Sequence, residues 1–96
     1  MLYEKKLSSL PELFAELGNL DLDGGIRALG RFGSKRCYVF VTRSPAGFTS
    51  LLYSIKAAGK ESLPDKRVLA KEFTSLEEAK EFLTKTVEKP VKAFSY

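Results

Sequence analysis

The sequence predicts an α+β domain in which two helices pack on one face of a four-stranded antiparallel sheet. Two segments, one towards each end of the 96 residues, combine a helix-capping signal with apolar residues at helical spacing. Four segments rich in β-branched and aromatic residues lie between them. Because the connections between these four segments are short, we expect antiparallel neighbours and the order α-β-β-β-β-α.

The first helix is expected to begin at Ser8 or Ser9, after a lead-in of residues 1–7. Ser9 and Glu12 have the spacing of a capping box, and Pro11 suits a first turn, whose N–H groups lack helical partners. Apolar residues then recur every three or four positions, as on one face of a helix. This apolar stripe consists of Leu10, Leu13, Phe14 and Leu17.

Four strands are predicted in the middle of the chain, each bounded by turn residues. Gly33 and Ser34 form a tight link, and Pro45 suits the second position of a turn. Residues 59–65, which include Pro64, are expected to form a polar loop. The predicted strands are residues 26–32, 35–43, 48–57 and 67–73.

A second helix is predicted after the fourth strand, where Ser75 and Glu78 repeat the capping-box spacing. Its apolar stripe consists of Leu76, Ala79, Phe82, Leu83 and Val87. Pro90 is expected to end any helix, which leaves residues 91–96 as a short aromatic tail. We therefore expect one domain, with its helix-sheet-helix core at residues 8–90.

The net charge of +4 is distributed unevenly along the chain. Residues 1–25 carry five acidic and two basic side chains, and residues 61–96 carry seven of each. Residues 26–60 carry seven basic side chains and no acidic one, together with five aromatic residues. Basic residues interleaved with aromatic ones are typical of a surface that binds phosphates and stacks bases.

The residue types that are missing exclude several function classes. The chain has no histidine and a single cysteine, Cys37, so it lacks a Cys/His zinc set, an internal disulfide and the usual nucleophile-histidine pairs. It also lacks a P-loop and a dinucleotide-binding glycine motif. We therefore expect a protein that is not an enzyme and that needs no metal or small-molecule cofactor. Without a membrane-spanning apolar run or a signal peptide, the expected location is the cytoplasm.

Alternation divides the second predicted strand into two different sets of side chains. Cys37, Val39 and Val41 form an apolar set that is expected to face the helices. The opposite set is aromatic and basic, and leaving so much apolar area in water is unfavourable. A one-residue change of register would move any strand's set to the other face. One consistent assignment places on this second face Arg27, Arg31, Arg36, Tyr38, Phe40, Arg67 and Lys71.

Three uses of this second face remain open from the residues alone. It is a platform on which a single strand stacks its bases, a homodimer or adaptor interface, or a second core layer beneath a chain terminus. An interface would pair its arginines with acids of the N-terminal segment. Those acids are Glu12, Glu16, Asp21 and Asp23.

The order of elements, with bases and aromatics concentrated in residues 27–43 and at Phe48 and Tyr53, resembles the archaeal ThermoDBP family of single-stranded DNA-binding proteins. The resemblance implies a four-stranded antiparallel sheet with helices, and a basic cleft in which bases meet apolar and aromatic side chains. Strands followed by a helix are also similar to single-strand binders of the Whirly type. Scarce Asn and Gln beside abundant Lys and Glu agree with a thermophilic source. The residues that best match the ThermoDBP description are Arg36, Tyr38 and Phe40.

The favoured function is therefore largely sequence-independent binding of single-stranded nucleic acid, DNA before RNA, by a protein that is not an enzyme. The alternative is a homodimerising adaptor that uses the same aromatic face as its interface. The predicted nucleic-acid-binding residues are Arg27, Arg31, Phe32, Lys35, Arg36, Tyr38, Phe40, Arg43, Tyr53 and Lys56.

Overall fold

Six antiparallel strands form one sheet in a computed structural model that describes residues 3–22, 24–59 and 61–95. The strands are β1 (Tyr3–Lys6), β2 (Gly24–Phe32), β3 (Lys35–Ser44), β4 (Gly47–Ala58), β5 (Glu61–Phe73) and β6 (Val87–Ser95). The helices are α1 (Leu10–Gly18) and α2 (Leu76–Thr86). Neighbouring strands follow the order β1-β6-β2-β3-β4-β5. The α+β class is confirmed, whereas the prediction of a four-stranded sheet is wrong.

The two additional strands lie at the two ends of the chain. β1 and β6 pair with each other, from Tyr3 opposite Ser95 to Lys6 opposite Lys92, and β6 also pairs with β2. Residues 3–6 of the predicted lead-in and residues 91–95 of the predicted tail are therefore parts of the sheet, whereas residues 1, 2 and 96 lie outside the described residues. Sequence periodicity missed this pairing because it joins segments at opposite ends of the chain.

The boundary between α2 and β6 explains part of the error. Helical spacing predicts Val87 in the last turn of the helix, but α2 ends at Thr86 and Val87 begins β6. Pro90, expected only to stop a helix, lies inside β6 opposite Ala28, between two shifts of the β2–β6 register. Proline is tolerated at such irregularities because the hydrogen-bond ladder is already interrupted there.

β5 begins earlier than predicted and is irregular. The expected loop of residues 59–65 is largely strand, with Pro64 opposite Ile55. From the pair Leu52–Leu69 to the pair Ile55–Pro64, β4 advances three residues while β5 advances five. Extra residues of this kind bend and twist the strand that carries them. We call residues 61–67, the bulged half of β5, the arm.

Both helices begin at the predicted caps and pack on the same face of the sheet. The Ser9 and Ser75 side chains each accept a hydrogen bond from the backbone N–H three residues later, as N-caps do. Gly30 permits a close approach of β2 to α2, because a Cβ at Gly30 would overlap the Thr86 carbonyl oxygen. The core under the helices includes the fully buried side chains of Leu13, Leu17, Ile26, Val39, Val41, Leu52 and Leu83.

Candidate functional site

The face of the sheet opposite the helices is continuous across β2, β3 and β4, and we call it the open face. Arg27 lies opposite Phe40, and Phe40 lies opposite Leu51 on the next strand. Since directly opposed residues of antiparallel strands share a face, the register extends the aromatic and basic set of β3 to both neighbours. The open face comprises Arg27, Leu29, Arg31, Arg36, Tyr38, Phe40, Thr42, Thr49, Leu51 and Tyr53.

Three aromatic rings form a cluster at the centre of the open face. The rings of Tyr38 and Phe40 are stacked, with centroids 5.0 Å apart and planes inclined by 22°. Tyr53 meets Phe40 edge-to-face at 5.3 Å. All three side chains are half-buried, so each retains surface that a ligand can contact. The central ring, Phe40, is held from two sides, while the two tyrosines flank it.

The guanidinium group of Arg27 lies between two rings. Its Cζ atom is 5.2 Å from the centroid of Phe40 and 5.0 Å from the centroid of Phe94 on β6. Such cation–π contacts position the charge without neutralising it. The Arg27 Nε atom is buried and has no hydrogen-bond partner, and no ion pair to Arg27 occurs among the described residues. The positive charge of Arg27 is therefore not neutralised by any carboxylate of the described residues.

Two lysines of β6 lie beside Arg27 and add positive charge to this edge of the open face, which we call the basic margin. Lys92 lies opposite Arg27 in the register, and Lys89 lies opposite Leu29. Lys92 Nζ is 3.1 Å from Glu4 Oε1, and Arg31 Nε is 3.2 Å from Glu88 Oε2. Both pairs are partly or largely exposed, and exposed pairs of this kind contribute only about 0–1 kcal/mol. A phosphate can therefore compete with these carboxylates for the two cations.

The register brings together six of the ten predicted binding residues. Those on the open face are Arg27, Arg31, Arg36, Tyr38, Phe40 and Tyr53. Alternation along β2, β3 and β4 assigns the other four to the helix side of the sheet, and they are Phe32, Lys35, Arg43 and Lys56. Arg43, for example, lies 4.9 Å from the ring centroid of Phe48, a core residue.

The two β5 residues in the predicted face have different positions. Arg67 lies opposite Tyr53, as that assignment requires. Lys71 lies opposite the buried Ser50, and its Nζ is 5.4 Å from the ring of Phe82 on α2, so its assignment to the open face is wrong. The register shifts at Tyr53 account for this result, because they change which β5 residues share a face.

The arm borders one side of the open face. A cavity of about 310 Å³ is lined by Phe40, Thr42, Leu51, Tyr53, Pro64 and Asp65. Because Pro64 and Asp65 belong to the arm and line the same cavity as two β3 residues, the bulged strand bends across the face. The open face is therefore a cleft, basic along β6 and β2, aromatic at its centre and bounded by the arm.

Two acids of the N-terminal segment, Glu12 and Glu16, lie on α1, on the side of the sheet opposite this cleft. Glu12 is on α1, where a hydrogen bond from the Ser8 hydroxyl, and to a lesser extent one from Ser9, lowers the pKa of its carboxyl. Glu16, also on α1, pairs with Lys5 at 2.9 Å. Within one chain, these two acids do not neutralise the open face. Asp23 lies outside the described residues.

Sequence reasoning missed Lys89, Lys92 and Phe94, which β6 contributes to the cleft. The alternation of Lys92 and Phe94 with smaller apolar residues in the run Val91-Lys92-Ala93-Phe94 is a strand signal. Because this run follows Pro90, which was expected only to end a helix, the run was interpreted as a tail and not as a strand. The pairing with β2 turns a terminal segment into part of the basic margin.

The described parts of the chain contain no group of three or more metal-ligating side chains close enough to hold an ion. Among the same residues, no helix is long and apolar enough to cross a membrane. Comparisons with profiles of protein families, with curated proteins and with solved structures found no match for this chain.

Proposed function

We propose that this chain binds single-stranded nucleic acid in the cleft of the open face, largely independently of sequence. The observation that carries the proposal is the Arg27 guanidinium, which is held between two rings without a carboxylate partner among the described residues, beside a half-buried aromatic cluster. Phosphate recognition needs the first feature and base stacking needs the second.

The spacing of the strands supports this use of the cleft. Neighbouring strands are about 4.8 Å apart, so the aromatic rows of β3 and β4 lie roughly 5–10 Å from the cations of β2. A nucleic-acid backbone that follows the basic margin can therefore extend its bases over Tyr38 and Tyr53. A duplex keeps its bases stacked inside, so it offers these rings no free base surface.

An anisotropy titration with fluorescent oligothymidylate and a matched duplex tests the proposal. We expect the single strand to bind more tightly, and about four to six phosphate contacts give a log–log salt slope of roughly −3 to −4. If no single strand binds more tightly than the millimolar range at low salt, the proposal is wrong. A protein that fails to bind but sediments as a dimer would support the homodimer or adaptor function instead.

Two adjacent residues supply a matched pair of variants for this titration. Arg36 lies on the open face, whereas Lys35 lies on the other side, and both are exposed. Arg36→Ala should reduce the magnitude of the salt slope by roughly 0.7, the value of one phosphate contact on a single strand. Lys35→Ala removes the same net charge and should change the slope far less. Equal effects would mean that net charge, not the open face, controls binding.

A further inference from the structure

The cavity beneath the arm differs in charge from the rest of the cleft. Four of its lining residues are apolar or aromatic, namely Phe40, Leu51, Tyr53 and Pro64. Asp65 is the one charged residue that lines it, and no ion pair to Asp65 occurs among the described residues. Apart from Arg67, which lies opposite Tyr53 and does not line the cavity, the cations of the open face lie across the sheet, on β2, β6 and the first half of β3.

This distribution of charge orients a bound strand, with its phosphates on one side of the cleft and its bases on the other. A carboxylate repels phosphate, so the backbone is excluded from the cavity and directed towards Arg27 and Lys92. A nucleobase is flat and uncharged, and the cavity offers it aromatic and aliphatic walls. Its volume of about 310 Å³ is at the lower end of the range for small-ligand sites. The occupant that fits is therefore a base, not a phosphate.

The carboxylate also selects among the bases. An ionised carboxylate only accepts hydrogen bonds, through two adjacent oxygens. On its Watson–Crick edge, guanine presents two adjacent donors, N1–H and N2–H. Adenine and cytosine place an acceptor nitrogen next to their amino group, and thymine flanks its single N–H with two carbonyl oxygens. Adenine, cytosine and thymine each bring an acceptor against the carboxylate.

We propose that the cavity beneath the arm is a guanine-preferring subsite, in which Asp65 accepts hydrogen bonds from guanine N1–H and N2–H beside Phe40 and Tyr53. This inference rests on the proposed function and adds a base preference at one nucleotide of the bound strand. Asp65 is the specificity-determining residue, and the remainder of the cleft binds any base.

Competition among oligothymidylates that carry one central substitution tests this subsite. We expect a single guanine to tighten binding about tenfold relative to a single adenine, because hydrogen bonds to charged groups are among the stronger ones. Adenine is the matched purine and controls for stacking. Inosine lacks the 2-amino group, so it should lose a large part of the gain.

The variant Asp65→Asn should abolish the difference between guanine and adenine, because an amide cannot accept both hydrogen bonds. Glu72→Gln is its matched control, since Glu72 lies opposite Thr49 on the open face, does not line the cavity, and changes net charge equally. It should raise affinity for all oligonucleotides alike and keep the guanine preference. Urea unfolding of both variants checks that they fold.

Each outcome separates this inference from the proposed function. If oligothymidylate binds but guanine gives no gain over adenine, or if Asp65→Asn keeps the gain, the subsite is refuted and the proposed function stands. If no single strand binds, the proposed function itself fails. A guanine preference that Asp65→Asn abolishes and Glu72→Gln retains supports the subsite.

Discussion

The two faces of β3 are built from different residues and are covered to different extents. On the helix side, Cys37, Val39 and Val41 are each 1–2% exposed. On the open side, Tyr38 and Phe40 are half-buried and Arg36 is exposed. Successive residues of β3 therefore face opposite environments. One set faces a sealed aliphatic core, and the other lies at the base of a cleft.

The contrast separates the residues that stabilise the fold from the residues that stay accessible at its surface. Aliphatic side chains stabilise the helix side because they are fully removed from water, at about 25 cal/mol per Å². On the open side, the rings contact one another and Arg27, which orders them while their outer surfaces stay accessible. Ordered but accessible rings suit binding, because little entropy is lost when a ligand stacks on them.

Thiol reactivity should distinguish the two faces most strongly. Burial, and to a lesser extent the Glu88 carboxylate, raises the pKa of the Cys37 thiol, so the native protein keeps it protonated and shielded. With an aromatic disulfide reagent, Cys37 should react at least roughly 10³-fold more slowly in the native protein than in urea, since reaction requires unfolding. In the variant Tyr38→Cys, the new thiol should react rapidly and Cys37 should remain slow.

The same pKa shift has a defined sign for stability. The unfolded thiol ionises at lower pH than the native one, so its contribution is complete below about pH 8.5 and decreases as pH rises further. Urea midpoints at increasing alkaline pH measure this loss. Rapid native reaction of Cys37 would show that the helix side is not sealed.

Adjacent leucines on β4 provide the next largest contrast. Leu52 is fully buried in the core, whereas Leu51 is half-buried on the open face. Leu52→Ala should lower the free energy of unfolding by about 2–5 kcal/mol, because it leaves a cavity. Leu51→Ala should cost only about 1 kcal/mol. Urea denaturation measures both, and similar losses would contradict the division between the faces.

Tyr38 gives the smallest of these contrasts, and it concerns binding. Tyr38→Ala should weaken single-strand binding by about 1–3 kcal/mol, the value of one stacked base. Tyr38→Phe retains the ring, so its affinity should remain close to that of the unchanged protein. Anisotropy measures affinity, and the urea midpoint confirms folding. If both substitutions weaken binding equally, the hydroxyl and not ring stacking is responsible.

Local sequence patterns were sufficient for several features of the fold and the cleft. The capping boxes at Ser9 and Ser75 are N-caps in the structure, and alternation in β3 separates Val39 from Phe40 as predicted. These features depend on neighbours within a few residues, so their periods are visible in the chain itself. The clustering of Arg27, Arg36 and Tyr38 on one face followed from the same alternation.

Other features depended on pairing between distant segments. The sequence does not reveal that β1 pairs with β6, that Lys92 and Phe94 flank Arg27, or that the arm lines an open cavity with Asp65. Arg67 and Lys71 illustrate the reason, since the register shift between them places on opposite faces two residues that alternation assigns to one face. By itself, the sequence determined the helix caps, the two faces of β3 and the segregation of charge. The tertiary structure decided the number of strands, the register of β5 and the shape of the cleft, because these follow from the stability of the whole sheet.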